Sequence, residues 1–438
     1  MKYFLSYLFL FLAPWLYGQA VQWELLAPMP EPVSNNAVAM AMVEGVPHVY
    51  SFAGIDTSRD WYGIHLKGFR YNTQTEVWDT IPPLPAPMGG KIATSASVVK
   101  NKIYIIGGYH VASNYNESSS NKVHIYDPEA NAYLPDGMAI PFPIDDQVQM
   151  VWRDSLIFVV TGWSNTNNVA NVQIYDPAAD SWMAGTPVPN NNNWKVFGGS
   201  GVIVGDTIYY AGGARFGSNF PATSYFRKGF INPDNPMEIN WEGFETPAAQ
   251  GYRMAAGVLD GKPFWLGGSD VTYNFDGIAY NGSGSVSPQG RLTFYDPASG
   301  ALGQLEGQIP ATMDFRGLAQ IGPNQFILAG GMQAGPEVSG QVLLVTIAKL
   351  TGSTDEPSDP KAPPLFVFPN PTFNQLQVNY PHTAQLDILN SAGQVVLQST
   401  IQGPSQVVDI SQLRAGLYFA LLRLEGQLIG WEKIYIYR

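Results

Sequence analysis

The sequence predicts an all-β fold in which six repeated four-stranded sheets precede a small C-terminal β-sandwich. Two observations support this fold class. Glycine (45 residues) and proline (34 residues) are frequent and 13% of the 438 residues are aromatic, a composition that suits short strands joined by tight turns. In addition, one pattern of strand-like segments recurs through residues 21–348. A chain of this length is also long enough to form more than one domain.

Charge and residue types exclude several classes of protein. The 23 Lys and Arg against 35 Asp and Glu give a net charge of −12, so we expect no nucleic-acid partner, because phosphate binding needs a basic field. Cysteine is absent, which excludes disulfides, thiolate metal sites and thiol nucleophiles. The five histidines are widely scattered, and the common nucleotide-binding, hydrolase and zinc-protease motifs are missing. We therefore expect no metal and no cofactor.

The N-terminal segment, residues 1–20, has the features of a signal peptide. Lys2 precedes an apolar run over residues 3–16, and Ala20 is a small residue of the kind that signal peptidase accepts. A buried or membrane helix is the alternative, but the run is shorter than the ~20 apolar residues that a membrane span requires. We expect export, a mature chain that begins at Val21, and no transmembrane segment.

The repeated pattern contains a strand that ends in glycine and is followed by a polar loop of variable length. Successive copies are roughly 50 to 60 residues apart, which is a spacing typical of repeat architectures. The six glycines that end these strands are Gly54, Gly108, Gly162, Gly213, Gly268 and Gly331. Each copy is expected to form one four-stranded sheet, with its insertions in the loops between strands.

A tyrosine and a second aromatic residue lie seven positions apart in the later half of several copies. The complete pairs are Tyr71 and Trp78, Tyr126 and Tyr133, and Tyr175 and Trp182. Asn72 or an Asp-Pro pair lies between them, so the spacing predicts a hairpin whose two rings pack together. The fifth copy has Leu302 after Tyr295, and the fourth has Trp241 at a longer spacing, so these two copies are degenerate.

This combination of glycine pairs and spaced aromatic residues resembles the kelch repeat, in which each copy forms one blade of a β-propeller. The resemblance covers residues 21–350 and implies a six-bladed propeller. The last copy lacks a Trp-containing fourth strand, whereas the mature N-terminus carries Trp23 in a position similar to that of Trp78. We expect the strand around Trp23 to complete the sixth blade and close the ring. The alternative is a stray N-terminal strand.

The C-terminal part of the chain reads as a second module. Residues 351–364 are polar and proline-rich and predict an extended linker, whereas residues 365–438 alternate apolar and polar residues as a small β-sandwich does. The order of motifs resembles the C-terminal sorting domain of the bacterial type IX secretion system. The residues that carry the resemblance are Pro369-Asn370-Pro371, Gly393, Asp409-Ile410-Ser411, Leu413, Gly416-Leu417-Tyr418 and Lys433.

The resemblance of the tail implies contact with the type IX secretion machinery through residues 365–438. It also implies that the protein is secreted or held at the outer-membrane surface of a Gram-negative bacterium. A generic immunoglobulin-like accessory domain is the alternative. Either interpretation makes the repeated domain the working part.

Polar residues lead the first strands of the six copies. In chain order they are Asn36, Lys91, Asp146, Lys195, Arg253 and Arg316. Because the innermost strands of a propeller line a central channel, we expect these side chains to ring the channel mouth and to attract an anionic ligand. The alternative is that they pack the blades or bind loop carbonyls.

The loops after the glycine pairs are dense in Asn, Ser, Gly and aromatic residues, and they are expected to share a face with the channel mouth. Their rings are candidates for stacking on a sugar or anchoring a protein partner. The candidates are Trp61, Tyr62, Tyr109, His110, Tyr115, Trp163, Phe216, Tyr273, Phe275 and Tyr280. The alternative is that several of these rings only pack their own loops.

The sequence therefore predicts a secreted or cell-surface binding module for a glycan or an extracellular protein. The kelch resemblance leaves one enzymatic alternative, a sugar-acid mutarotase of the sialate epimerase type. In that alternative Arg253 and Arg316 would hold the substrate carboxylate, and Asp146 or Asp314 would move the proton. A purely structural role in a surface coat is the third hypothesis.

Overall fold

The computed structural model describes residues 21–350, 366–368, 372–380, 383–390, 394–403, 405–424 and 427–436. Apart from two short 3₁₀ helices, the regular secondary structure of these residues consists of β-strands, which confirms the predicted all-β class. The chain divides into two compact units at the boundary between Gly352 and Ser353. The predicted signal peptide and linker lie outside the described residues. Among the described residues, no helix is long and apolar enough to cross a membrane.

The first unit begins with strand β1 (Val21–Leu25) and continues with sheets I to III. Sheet I consists of β2 (Ala37–Val43), β3 (Val46–Ile55), β4 (Ile64–Asn72) and β5 (Val77–Ile81). Sheet II consists of β6 (Ile92–Val99), β7 (Lys102–Val111), the short β8 (Glu117–Ser119), β9 (Val123–Asp127) and β10 (Ala132–Tyr133). Sheet III consists of β11 (Val148–Trp152) and β12 (Leu156–Val160), then, after the small ladder of β13 (Trp163–Ser164) and β14 (Asn167–Asn168), β15 (Val172–Asp176) and β16 (Ser181–Gly185).

Sheets IV to VI follow the same plan. Strand β17 (Val196–Phe197) precedes sheet IV, which consists of β18 (Ser200–Val204), β19 (Thr207–Ala211), and, after β20 (Ala214–Arg215), β21 (Tyr225–Asn232) and β22 (Asn235–Glu245). Sheet V consists of β23 (Ala255–Leu259), β24 (Lys262–Leu266), β25 (Leu292–Asp296) and β26 (Ala301–Leu305). Sheet VI contains β27 (Ala319–Gly322), β28 (Gln325–Ala329), and, after the ladder of β29 (Met332–Gln333) and β30 (Glu337–Val338), β31 (Val342–Ile347). Short 3₁₀ helices cover Trp61–Gly63 and Pro247–Ala249.

Strand β1 is the outer strand of sheet VI. It pairs antiparallel with β31, so that Val21 lies opposite Ile347 and Leu25 opposite Leu343. Val21 is buried in an apolar core that sheets V and VI share. The N-terminal strand therefore supplies the fourth strand that the last repeat lacks, and the predicted pairing is confirmed.

The aromatic pairs seven residues apart face each other across hairpins. Tyr71 lies opposite Trp78 in sheet I with their ring centroids 5.2 Å apart, and the pairs in sheets II and III have the same arrangement. In the degenerate fifth copy, Tyr295 still lies opposite Leu302. The spacing thus sets the register of the third and fourth strands even where the second aromatic ring is missing.

Each sheet shares an apolar core with the next sheet along the chain, and sheet VI shares one with sheet I. The core between sheets I and II is centred on Tyr50 and Tyr126, and the core between sheets VI and I joins Ile327 to Val38 and Val49. Comparable cores lie between the other four neighbouring pairs. The six sheets therefore stand around one axis, with β2, β6, β11, β18, β23 and β27 innermost.

The second unit is a small β-sandwich, as the sequence predicts. Its strands are β32 (Phe366–Phe368), β33 (Gln375–Asn379), β34 (Ala384–Asn390), β35 (Val395–Ile401), β36 (Gln406–Asp409), β37 (Gly416–Leu424) and β38 (Gln427–Ile436). Strands β32, β33 and β36 form one sheet, and β35, β34, β37 and β38 form the other. Leu376 and Val408 from the first sheet share a core with Leu386, Ala420 and Leu422 from the second.

Candidate functional site

One residue with a left-handed backbone lies at the start of each inner strand or a few residues before it. These six residues, with φ between 51° and 70°, are Asn35, Ala93, Asp146, Gly198, Arg253 and Asp314. Backbone hydrogen bonds link neighbouring copies, since the Asp146 amide donates to the Ala93 carbonyl (3.1 Å) and the Gly198 amide donates to the Asp146 carbonyl (2.8 Å). A positive φ is strained for residues other than glycine, so this interlocked ring compensates a local cost.

The expected ring of six polar side chains differs from this arrangement. Asp146 and Arg253 occupy the left-handed position. The other four predicted residues lie one to three positions away from it: Asn36, Lys91, Lys195 and Arg316. The six predicted polar residues therefore do not occupy equivalent places around the axis. The equivalent position is defined by its left-handed backbone, and it accepts very different side chains.

Four charged side chains converge at the axis and form the central charge cluster (Asp146, Arg253, Asp314 and Arg316). Arg253 donates from Nη2 to Asp146 Oδ2 (2.8 Å) and from Nη1 to Asp314 Oδ1 (2.9 Å). The guanidinium of Arg316 contacts Asp146, and Ser34 Oγ donates to Asp314 Oδ2 (2.6 Å). All four charged residues are buried. Two cations face two carboxylates, so the cluster carries no excess positive charge for an anionic ligand.

Lys91 lies away from this cluster, fully buried between sheets I and II. Its Nζ is 3.1 Å from Ser120 Oγ and 3.3 Å from His124 Nε2, and His124 Nδ1 lies 2.7 Å from a carboxylate oxygen of Asp136. Burial lowers the pKa of Lys91 to about 7 and the pKa of His124 to about 4, in the latter case with the Lys91 charge acting in the same direction.

Asn36 and Lys195 also lie apart from the central charge cluster. The Asn36 amide donates to Ser51 Oγ (2.8 Å) and to the Ala329 carbonyl (3.2 Å), so it joins sheet I to sheet VI. Lys195 is half-buried just before β17. The structure therefore brings three of the six predicted residues together at the axis and leaves the other three in separate contacts.

A packed group of buried side chains, the loop-side plug, covers one side of the ring of left-handed residues. This is the side that carries the loops after the glycine pairs. The buried members of the plug come from five of the six sheets and include Ile55, Tyr109, Phe197, Tyr273, Met332 and Val338, and sheet III adds the partly buried Trp163. Burial raises the pKa of Tyr109 and Tyr273 well above the usual value, because the phenolate would lose its hydration. These two predicted ligand-stacking rings pack inside the loops instead of facing solvent.

Trp163 belongs to the edge of the same plug. It is half-buried and packs edge-on against Phe197 and Phe220, with ring centroids 5.6 and 5.5 Å away. Phe216, which is 42% exposed, stacks on its outer side. Trp163 therefore packs behind the exposed ring of Phe216, and little of its own face is open to a ligand.

The loops of sheets I and II carry an exposed group that we call the aromatic patch (Asp60, Trp61, Tyr62 and Tyr115). Tyr62 is 65% and Tyr115 58% exposed, and Trp61 packs edge-on against Tyr62 at 5.8 Å. The Tyr115 hydroxyl donates to Asp60 Oδ1 (2.9 Å), and Asp60 also caps the 3₁₀ helix that carries Trp61 and Tyr62. One carboxylate therefore holds the two loops together while leaving the ring faces open.

Asp145, which the sequence analysis did not single out, is a further buried acid next to the ring. Its carboxylate accepts a hydrogen bond from Ser119 Oγ, and its pKa is raised to about 7 because burial, and secondarily Glu117, disfavour the charged form. Its position beside Asp146 is the sequence signal that could have identified it. Among the residues that the structure describes, no group of His, Asp and Glu could hold a metal ion.

A central cavity of about 440 Å³ lies on the other side of the ring, between the inner strands of the six sheets. The loop-side plug closes the end at the ring. The cavity therefore opens at the opposite end, where hairpins join the first and second strands. Arg316 is the member of the central charge cluster that lines it.

Comparisons with known proteins agree with these two units. Residues 93–133, which cover sheet II, match the Kelch motif, and residues 366–436 match the secretion system C-terminal sorting domain. Kelch-like protein 25 of Xenopus tropicalis is 26% identical over 38% of this chain and 26% of its own length. Beta-scruin of Limulus polyphemus is 27% identical over 36% of this chain and 17% of its own length. The matches thus span well under half of each relative.

The solved structure of YjhT resembles the fold of the first unit. It aligns with a TM-score of 0.59 and 14% identity over 74% of this chain and 97% of its own length. At this identity the likeness concerns the fold alone. The sorting-domain match indicates export by a secretion system. The chain therefore combines an all-β, propeller-like fold that carries a Kelch motif with a secretion system C-terminal sorting domain.

Proposed function

We propose that this chain is an exported binding protein whose aromatic patch contacts an extracellular glycan or protein. The observation that carries the proposal is the exposure of Tyr62 and Tyr115 beside the carboxylate of Asp60. Large exposed rings next to hydrogen-bonding groups are typical of sugar-binding platforms and of protein interfaces. The Kelch motif supports a binding role, and the loops are held by rigid sheets beneath them.

The satisfied charges at the axis support the same proposal. Arg253 already donates to two carboxylates, and the loop-side plug separates it from solvent. A ligand that approaches from the loop side therefore meets the aromatic patch and not the central charge cluster. This differs from the anion-binding channel mouth that the sequence predicts.

A glycan array tests the proposal with the mature chain, residues 21–438. The double variant Tyr62→Ala/Tyr115→Ala removes both exposed rings and should lose binding to the immobilised glycans of the array that the wild type binds. Phe230→Ala is the matched control, because Phe230 is a 37%-exposed aromatic residue on β21 of sheet IV. Equal binding by the double variant and the control would contradict the role of the patch.

If the ligand is a protein, the same variants give a different result. The wild type would bind no glycan but would bind a surface protein, and the double variant would lose that interaction while the control keeps it. Binding of an immobilised array glycan or of a surface protein that does not depend on Tyr62 and Tyr115 would refute the proposal.

The sugar-acid mutarotase is the second candidate, and one observation favours it. Arg253, Arg316, Asp146 and Asp314 are the four residues that this candidate requires, and all four lie in the central charge cluster. The candidate also requires the cluster to exchange internal ion pairs for a substrate carboxylate. NMR exchange spectroscopy on a sugar acid tests it: accelerated anomer exchange that Asp314→Asn abolishes supports the enzyme, and an unchanged exchange rate excludes it.

We further propose that export uses the type IX machinery and that residues 366–436 are the recognised segment. The match of these residues to the secretion system C-terminal sorting domain supports this proposal. Deletion of residues 366–436 should retain the protein inside the cell envelope, as fractionation of a type IX-competent host would show. Normal secretion of the truncated chain would contradict it.

A further inference from the structure

The central cavity is a blind pocket that the aromatic patch does not use. Its volume of about 440 Å³ lies within the ~300–1,000 Å³ range of small-molecule sites. The loop-side plug closes its inner end, so a small molecule would enter from the hairpin end. This end is opposite to the loops that carry Tyr62 and Tyr115.

The two sides of this pocket differ in chemistry. The side formed by sheets II and III carries most of the serine and glutamine side chains, set among aliphatic residues, whereas the remaining lining is mainly apolar, with residues such as Val202, Val258 and Leu318 beside Ser200 and Gln320. A ligand that fills the pocket must therefore present one polar edge and one apolar face. A pyranose ring has this combination, because its hydroxyl groups project from the edge and its C–H bonds form apolar patches.

A chain of hydrogen bonds runs along the polar side. Gln147 Nε2 donates to Gln149 Oε1 (3.1 Å), and Gln149 Nε2 donates to Ser97 Oγ (2.9 Å). A serine hydroxyl that accepts one bond still has its own proton to donate. Because bonds in a chain polarise one another, the Ser97 hydroxyl is a prepared donor for a ligand oxygen.

The pocket is also neutral. Of its lining residues, all of which lie within the described residues 21–350, Arg316 alone is ionisable, and its guanidinium contacts the carboxylate of Asp146. A charged ligand would lose its hydration without gaining a free counter-charge. The pocket therefore favours a neutral ligand over an acidic or a basic one.

We propose that this pocket binds a neutral polyhydroxylated molecule of the size of one hexopyranoside. The hydroxyl edge of the ligand accepts a hydrogen bond from Ser97, and its C–H face packs on Val202, Val258 and Leu318. This site is separate from the aromatic patch and does not depend on the proposed function of the patch.

Saturation-transfer NMR on the mature chain, residues 21–438, tests the site with methyl glucopyranoside, methyl galactopyranoside and N-acetylglucosamine. Ser97→Ala should weaken binding about fivefold, the effect of one lost hydrogen bond. Ser200→Ala is the matched control, because Ser200 also lines the pocket but donates its proton to the Met254 carbonyl (2.5 Å). The control should bind as the wild type does.

Three further measurements decide the proposal. Val258→Phe fills the pocket near its open end and should abolish binding, with thermal melting used to verify that the variant is folded. Glucuronate and glucosamine should bind more weakly than the neutral sugars, and Tyr62→Ala/Tyr115→Ala should bind these sugars normally. No saturable binding of any neutral probe, tighter binding of glucuronate, or equal binding by Ser97→Ala and wild type would each overturn the inference.

Discussion

Arg253 shows how single residues set the chemistry at the axis. It is 1% exposed, and its guanidinium donates to carboxylates that come from the starts of two other inner strands. A buried charge is tolerated when its partners are in place and becomes costly when one partner is removed. The central charge cluster therefore joins sheets III, V and VI, and Arg253 has its carboxylate partners before any ligand arrives.

Replacement of Arg253 should destabilise the protein far more than replacement of an exposed arginine. Arg253→Met leaves Asp146 and Asp314 without their main partner and should lower the free energy of unfolding by about 3–5 kcal/mol. Arg153→Met is the control, because Arg153 pairs with Asp206 (2.8 Å) with half of its side chain in solvent. The control should cost less than about 1 kcal/mol. Similar urea midpoints for the two variants would argue against a cluster that holds the sheets together.

The buried His124 should make the protein sensitive to acid. Its pKa is lowered from 6.5 to about 4 in the folded state, so the unfolded chain binds more protons between these two pH values. Stability therefore decreases as the pH falls from about 6.5 to about 4, by about 3 kcal/mol for this one group, and this penalty is absent above pH 6.5.

His124→Gln removes the titrating group while keeping a polar side chain between Lys91 and Asp136. Chemical unfolding at a series of pH values should show a smaller loss of stability in acid for this variant than for the wild type. The two curves should differ by a constant amount above pH 6.5. Parallel curves throughout the acid range would contradict the assignment.

At the scale of the elements, the glycine at or near the end of each second strand allows the next segment to pass at close range. Gly108 has φ of +82°, and a Cβ atom there would lie 2.7 Å from the carbonyl oxygen of Ile92. Gly45, in the hairpin between β2 and β3, has nearly the same φ of +79° and no heavy atom within 4 Å of the added Cβ. Substitution of Gly45 therefore measures the free-energy cost of backbone strain alone, and substitution of Gly108 measures the same cost together with that of steric overlap.

Gly45→Ala should cost only the ~1–2 kcal/mol of the left-handed backbone. Gly108→Ala should cost a further ~1–3 kcal/mol, because the Cβ atom overlaps backbone that cannot rotate away. Differential scanning calorimetry of both variants measures the difference. Equal melting temperatures would show that close packing at this position is not what requires glycine.

The strands could be predicted from the sequence because their signals are side-chain identities. The glycines that end the second strands and the Tyr71 to Trp78 spacing are fixed by sterics and hairpin register, so they are visible in the chain itself. The left-handed position at or near the start of each inner strand is different. It holds alanine at 93, glycine at 198 and arginine at 253, so no residue type marks it. Matching the six copies by residue type therefore assigns Lys91 and Lys195 to this position, which they do not occupy in the structure.

The sequence also could not predict which of the candidate aromatic rings are buried. Tyr109 lies near the end of β7 and Tyr115 in the turn that follows, yet Tyr109 is 4% exposed and Tyr115 is 58% exposed. The difference arises from contacts with loops of other sheets, such as the bond from Tyr115 to Asp60. Long-range contacts of this kind leave no local periodicity, so both rings looked equally suited to a ligand.

At the scale of the whole molecule, the ring of sheets depends on a non-covalent closure. Sheet VI is complete only when β1, from the beginning of the described chain, pairs with β31 some three hundred residues later. This pairing buries Val21 in the core between sheets V and VI. The loop-side plug, the central charge cluster and the blind pocket all require sheets VI and I to be neighbours.

Engineered disulfides test this closure most directly, since the chain has no cysteine of its own. Glu24 lies opposite Leu344 in the β1 to β31 ladder, whereas Thr346 lies opposite Gln22. The pair Glu24→Cys/Leu344→Cys should form an intramolecular disulfide on mild oxidation and raise the melting temperature. The pair Glu24→Cys/Thr346→Cys, out of register by two residues, should not. Failure of the first pair to cross-link within one chain, or equal cross-linking by both pairs, would contradict the closed ring of six sheets.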